Sequence, residues 1–222
     1  MKSRVALCSL FFATAAFADD IPGNELQIYV DADNPTPGNG MNWQSSFNDL
    51  QSGLDAAQTA LGLGAPDVRI LVAEGLYSPS IPFDWSSSTP TGTPEQETFL
   101  IDGLWMNNSL QCLGIHGGFR GFVSGVMTSD QYDQPDGSFA ATQLRAIDGT
   151  TSTVRYNVVT IKDVQSRIIV DGFRIVRGNA IGSGDDQNDV GAGMRILRGG
   201  YAHKSSRVIV ENCEFERNTA QR

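Results

Sequence analysis

The sequence predicts an all-β chain: a right-handed parallel β-helix (a solenoid) with an N-terminal amphipathic capping helix. Three observations predict it. One segment repeats at an offset of 40 residues, most of the rest is short β runs between turn residues, and one stretch, 46–61, carries helical spacing. In the repeat, residues 167–180 align without a gap on residues 207–220. Self-similarity at such a period marks a repeat architecture. Ile168, Val170, Phe173 and Ile175, and in the second copy Val208, Val210, Cys213 and Phe215, are expected to point inward. The alternation slips by one residue at Asp171-Gly172 and Glu211-Asn212. Gly and Asn tolerate a left-handed backbone, so a sharp bend belongs there. Two strands meeting at the bend make two sides of a coil. Gly191-Ala192-Gly193-Met194-Arg195-Ile196 supplies the third, with corner loops at 181–190 and 198–206. Each strand would pair with its equivalent one coil on, ~4.8 Å away.

The elements follow in order from the N-terminus. Lys2 and Arg4, an apolar run over 5–16 and then Ala16-Phe17-Ala18 form a signal peptide over 1–18. The run is too short to span a bilayer; a signal anchor is the alternative. Cys8 lies inside the apolar run, away from the cleavage site. The β-helix domain is expected over 19–222, with the cap over 26–77 and coils with inserted loops over 78–222. Strand runs are expected at 26–30 and 68–73, either side of the helix, and then at 98–101, 110–116, 157–161, 168–176, 194–197 and 208–215. In the helix, Phe47, Leu50, Leu54, Ala57 and Leu61 share a face; Ser45 or Ser46 would cap it, Asp49 would sit in the first turn, and Gly62 and Gly64 would stop it. Two polar stretches, 78–94 and 122–153, read as loops projecting from the coils, because a compact sandwich has no place for connections of that length.

Composition bounds the function. The net charge of the 222-residue chain is −9, and loss of Lys2 and Arg4 with the signal takes it to −11. That balance argues against nucleic acid and anionic lipid as partners. No later stretch reads as a membrane span. Cys112 and Cys213 have one possible pairing, which an exported setting permits. Both lie in apolar runs, where Cys serves as a small hydrophobe, so free thiols are expected.

Phe215-Glu216-Arg217-Asn218 matches a Phe-x-x-Asn motif, and Gly191-Ala192-Gly193-Met194 is close to a glycine-pair element. On these the chain resembles secreted right-handed parallel β-helix proteins of the pectin-lyase-like superfamily, and more narrowly large bacterial surface proteins with polymorphic-outer-membrane-protein-type repeats. The preceding coil departs, with Ile175 and Gly178 where Phe and Asn would stand. The N-terminal part is also similar: Ile28-Tyr29-Val30-Asp31-Ala32-Asp33, then Gly38-Asn39-Gly40 and Trp43, the helix, a strand over 70–77, and Leu113-Gly114-Ile115-His116-Gly117-Gly118-Phe119. The resemblance makes the helix the cap of the first coil. The sequence ends as a coil is completed, without the polar cap a solenoid needs, so the expectation is a chain truncated at its C-terminus.

The resemblance to polysaccharide lyases of the superfamily implies acidic residues with Ca²⁺ and an Arg or Lys base. The Ca²⁺ candidates are Asp171 and Glu211, which the repeat stacks at one bend, and the loop Asp185, Asp186 and Asp189. A second acidic loop holds Asp130, Asp133 and Asp136-Gly137. Against a metal role stand a solvated loop for each cluster and, for Asp171 and Glu211, neutralisation by Arg167 and Arg207. Arg174 and Glu214 also stack, as a surface ion pair or as a catalytic Arg beside an acid. His116 and His203 belong to no metal-spaced cluster, and Trp43, Trp85 and Trp105 are dispersed. No catalytic residue is assigned. The expected function is an exported, cell-surface or extracellular β-helix presenting loops for adhesion or polysaccharide recognition. The alternatives are a Ca²⁺-assisted polysaccharide lyase, a glycoside hydrolase with paired carboxylates, or a purely structural module.

Overall fold

The structure is a computed structural model, and it describes residues 25–82, 97–103, 106, 111–121, 142–146, 155–180, 192–197 and 207–220. The signal peptide expected over 1–18, Trp85, Trp105, His203, the loop aspartates at 130, 133 and 136, and Asp185, Asp186 and Asp189 lie outside the described residues.

The chain is mostly β, with one α-helix among the described residues. In order it forms β1 (Glu25–Val30), α1 (Leu50–Gly62), β2 (Asp67–Ala73), β3 (Gly75–Tyr77), β4 (Ile81–Pro82), β5 (Glu97–Asp102), β6 (Cys112–Phe119) and β7 (Thr142–Arg145). There follow β8 (Val159–Lys162), β9 (Arg167–Asp171), β10 (Arg174–Val176), β11 (Asn179–Ala180), β12 (Met194–Ile196), β13 (Arg207–Glu211), β14 (Glu214–Glu216) and β15 (Thr219–Ala220). A five-stranded sheet runs β1-β2-β6-β9-β13, a four-stranded sheet β14-β10-β7-β3, a second four-stranded sheet β12-β8-β5-β4, and β11 pairs with β15. Every named pair is parallel except β4 with β5.

In the five-stranded sheet Glu25 opposes Asp67, Asp67 opposes Cys112, Cys112 opposes Arg167 and Arg167 opposes Arg207. The last of these steps, Arg167 to Arg207, is the offset read from the sequence. Gly172 (φ 79°) and Asn212 (φ 49°) take the left-handed backbone expected at the bends, and they divide β9 from β10 and β13 from β14.

Ile168, Val170, Phe173 and Ile175 are all buried, in one core with Phe99, Ile161, Leu113 and Ile70. Each such side chain contributes about 1.5–3 kcal/mol of burial. Their counterparts one step on differ: Val210 is 37% and Phe215 49% exposed, because among the described residues no strand covers β13 and β14 on their far side.

The helix begins later than predicted, at Leu50 rather than 46. Residues ahead of it are drawn to β1 instead: the Phe47 N–H bonds the Tyr29 carbonyl at 3.0 Å, and the Asp31 N–H bonds the Phe47 carbonyl at 2.7 Å. Asp49, not Ser45 or Ser46, is the cap, its carboxylate accepting from the Ser52 N–H at 2.9 Å. Gly64 (φ 98°) ends the helix as expected, and its N–H bonds the Leu61 carbonyl. Leu50, Leu54, Ala57 and Leu61 enter the core, and α1 packs on β1, β2 and β5. Gly53 permits the close approach, since a Cβ there would come 2.5 Å from Val30 Cγ2.

Two strands fall where loop was expected, β7 inside 122–153 and β4 inside 78–94; β3 follows the end that the residue pattern suggests at Glu74, within the strand over 70–77 that the resemblance implies. β7 is short, but it inserts buried Leu144 between Tyr77 and Ile175, and Thr142 Oγ1 accepts from the Gly118 N–H at 2.9 Å. β6 runs on through Gly117-Gly118 to Phe119, beyond the predicted end at 116. Trp43 is buried in a side cluster with Tyr29, Leu71, Ala73 and Phe119, its ring 5.0 Å from that of Tyr29. No helix of the described residues is long and apolar enough to cross a membrane.

Candidate functional site

The repeat's acidic pair stacks as predicted: Glu211 opposes Asp171 on β13 and β9. The side chains that engage Asp171 are not the Arg167 and Arg207 expected to neutralise it. His116 stands opposite Asp171 on β6, and its Nδ1 lies 3.2 Å from Asp171 Oδ2. Asn212 Nδ2 donates to Asp171 Oδ1 at 2.8 Å. Arg167 instead directs its Nε to Cys112 Sγ at 3.1 Å, and Arg207 is exposed. The imidazole fits because Gly114, two residues back on the same face of β6, leaves its space open: a Cβ there would come 2.5 Å from His116 Nε2. His, Asp and Glu thus form a ladder across three adjacent strands.

Both Asp171 oxygens are engaged, and two carboxylates fall short of the about six to eight oxygens that Ca²⁺ takes. Among the described residues no group of three or more His, Cys, Asp or Glu side chains is arranged to hold a metal. Cys112 and Cys213 are free, the first on β6 and the second in the bend between β13 and β14. Burial pushes the Cys213 thiol pKa up, away from thiolate chemistry.

A second constellation lies on the outer positions of the β14-β10-β7-β3 sheet. Arg174 sits between Gln143 and Glu214, as the repeat predicts for the Glu. Its Nε is 3.4 Å from Glu214 Oε2, an ion contact without hydrogen-bond geometry, and its guanidinium hydrogen-bonds Glu216. Arg217 Nε holds the other Glu216 oxygen at 3.1 Å. Arg145, Arg174, Arg177 and Arg217 together line a cleft of about 160 Å³ with Glu216 and Gln143. Sequence reasoning singles out Arg174 and Glu214 alone and misses the other members. A signal for two of them is present, because Arg177 and Arg217 occupy equivalent positions of the aligned repeat.

The motif residues hold the structure together. Asn218 Oδ1 accepts from the Gly178 N–H at 2.9 Å and its Nδ2 donates to the Ile175 carbonyl at 2.9 Å, tying one repeat to the one before. Gly193 lies against it, where a Cβ would meet Asn218 Cγ at 2.9 Å and Phe215 Cδ1 at 3.0 Å. The glycine element and the Phe-x-x-Asn element are therefore two halves of one contact.

No protein-family model, no curated protein and no solved structure matches this chain.

Proposed function

We propose that this chain is an exported right-handed parallel β-helix that acts outside the cell or on its surface by recognising polysaccharide or another cell-surface ligand, without catalysis. The handedness rests on a general rule: crossover connections between parallel strands of one sheet are right-handed in about 98% of cases. Successive parallel pairings, each joining a strand to one much further along the chain, support a coil per step. Export rests on the order of charged, apolar and small residues over 1–18.

The observation that carries the recognition reading is the state of the carboxylates. Asp171 is engaged by His116 and Asn212, and Glu216 by Arg174 and Arg217. Groups paired in this way present a fixed polar pattern to a ligand. A polysaccharide lyase or glycoside hydrolase is the second reading, favoured by Arg174 lying beside two glutamates in a cleft. The test is to secrete the chain, confirm by mass that it begins at Asp19, and incubate it with a panel of polysaccharides including pectin and alginate. Retention on one of them without unsaturated or reducing-end products is expected. Turnover of any of them would replace recognition with the enzyme, and retention on none would remove the polysaccharide.

A further inference from the structure

We propose that the arginine cleft on the β14-β10-β7-β3 sheet is an oxyanion site that takes the sulfate or carboxylate groups of an extended acidic glycan. The inference rests on the recognition reading and names its ligand chemistry.

The first argument is charge. Four guanidiniums, Arg145, Arg174, Arg177 and Arg217, meet two carboxylates, Glu214 and Glu216, which leaves a local surplus of two positive charges on a chain of net charge −9. Acidic composition would predict the opposite on a patch with no task. Positive charge gathered in a concave site focuses the field on an incoming anion.

The second argument is hydrogen bonding. Glu216 divides its oxygens between Arg174 and Arg217. Arg145 and Arg177 have no carboxylate partner among the described residues. The Arg145 Nε is buried with no hydrogen-bond partner among the described residues. Buried polar groups are nearly always paired, and an orphan calls for a bound group to satisfy it. A guanidinium offers a planar fork of donors that fits a carboxylate or sulfate with two parallel bonds.

The third argument is spacing. Arg177 and Arg217 directly follow Val176 and Glu216, which oppose one another on β10 and β14, so they stand one strand spacing apart, ~4.8 Å. Arg145 opposes Val176 from the other side on β7. Like charges held so close repel unless an anion lies between them. Arg177 (φ 63°) and Arg217 (φ 55°) also hold a left-handed backbone, an uncommon state for a residue other than Gly, Asn or Asp and one found at ligand clamps. The arginines run along the direction in which strands succeed one another, so the site suits a ligand that is itself a chain with repeated acidic groups.

The test uses the full chain and immobilised dextran sulfate, alginate and neutral dextran. Binding of at least one acidic polymer and not of neutral dextran is expected, weakening as salt screens the charges. Arg145→Gln with Arg177→Gln is expected to weaken it about tenfold or more, as loss of charge-assisted bonds does. Arg207→Gln, which removes the same kind of charge from exposed β13, is expected to leave it unchanged. Arg217→Gln, at an exposed position that leaves the core untouched, shifts affinity in the same direction as the double variant and keeps the site testable if that variant unfolds. Dextran sulfate alone identifies sulfate esters, alginate alone identifies carboxylates, and both identify an oxyanion site of either kind. The site is overturned if neither acidic polymer binds, if the arginine variants bind like the parent, or if Arg207→Gln weakens binding equally. A chain that retains a neutral polysaccharide but neither acidic polymer sinks the oxyanion site and leaves the recognition reading standing.

Discussion

Asn218→Ala probes the contact that ties one repeat to the next. The amide side chain makes two hydrogen bonds at 2.9 Å, accepting from the Gly178 N–H and donating to the Ile175 carbonyl. Each such bond contributes about 0.5–1.5 kcal/mol net, and a buried donor left unsatisfied costs about 1–3 kcal/mol. Gly178 is buried, so its N–H is that donor. The loss is therefore about 2–4 kcal/mol. In a chain of this length each kcal/mol lowers the melting temperature by about 2–4 °C, which places the drop at about 4–16 °C. Thermal melting followed by circular dichroism reads the total, and hydrogen exchange at the Gly178 amide reads the local event. Asn218→Asp keeps the acceptor for Gly178 and loses the donor to Ile175, so Gly178 stays protected while the melt still falls. Phe215→Ala, in the same motif but at a side chain 49% exposed, costs less than the about 3–5 kcal/mol of a fully buried Phe. An Asn218→Ala protein with an unchanged melt and an equally protected Gly178 amide would refute the reasoning.

Gly178→Ala is expected to prevent folding or cost several kcal/mol, because its Cβ would fall 1.8 Å from the Ala192 carbonyl oxygen, whereas Gly62→Ala, with open space around it at the end of α1, is expected to stabilise by about 0.4–1 kcal/mol in urea melts. Tyr77 is 3% exposed; its hydroxyl accepts from the Ala32 N–H at 3.1 Å and donates to the Ala73 carbonyl at 3.2 Å, and burial holds its pKa well above the ordinary 10.0. The folded state thus keeps the proton that the unfolded state releases, so this contribution is complete below pH 10 and is lost above it, by about 1.4 kcal/mol per pH unit until the folded pKa is reached; Tyr77→Phe should flatten that part of the pH profile in denaturant titrations. Glu97→Ala strands Arg155, whose side chain is 7% exposed and which donates Nε to Glu97 Oε2 at 2.8 Å and NH1 to the Ala146 carbonyl at 2.7 Å. A loss of about 3 kcal/mol is expected in chemical denaturation, and full stability would show that water already serves Arg155.

How much of this is legible in the sequence follows from the step lengths. From β9 to β13 the strand–bend–strand segment recurs with no insertion inside it, so the repeat can be read directly. The earlier steps, β1 to β2, β2 to β6 and β6 to β9, each differ in length because their insertions differ, and no constant offset survives. β7 is hidden because four residues, Thr142-Gln143-Leu144-Arg145, offer one apolar side chain to the core, too little periodicity to stand out from a polar stretch. The helix start is misplaced by the sequence pattern because Phe47 satisfies the helical spacing by coincidence while its backbone pairs with β1. Asp171 and Glu211 are found because they lie in the clean repeat. The sequence does not join His116 to them, because the step from His116 to Asp171 crosses one of the long polar stretches and matches no other step. The arginine cleft has the same origin: Arg177 and Arg217 are aligned by the repeat, whereas Arg145 arrives from the hidden β7.

A parallel ladder turns sequence position into a stripe. His116, Asp171 and Glu211 share one register position on three strands, and Gln143, Arg174 and Glu214 share another. Within a stripe neighbours sit ~4.8 Å apart, so opposite charges in succession stabilise one another and like charges need an intervening partner. In each stripe a basic side chain stands next to an acid, His116 beside Asp171 and Arg174 beside Glu214. The corner that follows β10 and β14 breaks that pattern by repeating arginine at 177 and 217 with Arg145 alongside. A chain that sets a basic side chain beside an acid in each of two stripes, and at the corner gathers three arginines, Arg145, Arg177 and Arg217, around the one carboxylate of Glu216, has placed its spare cations where the outward face is concave. That contrast between stripes, rather than the number of arginines, is what makes the corner a place for an external anion.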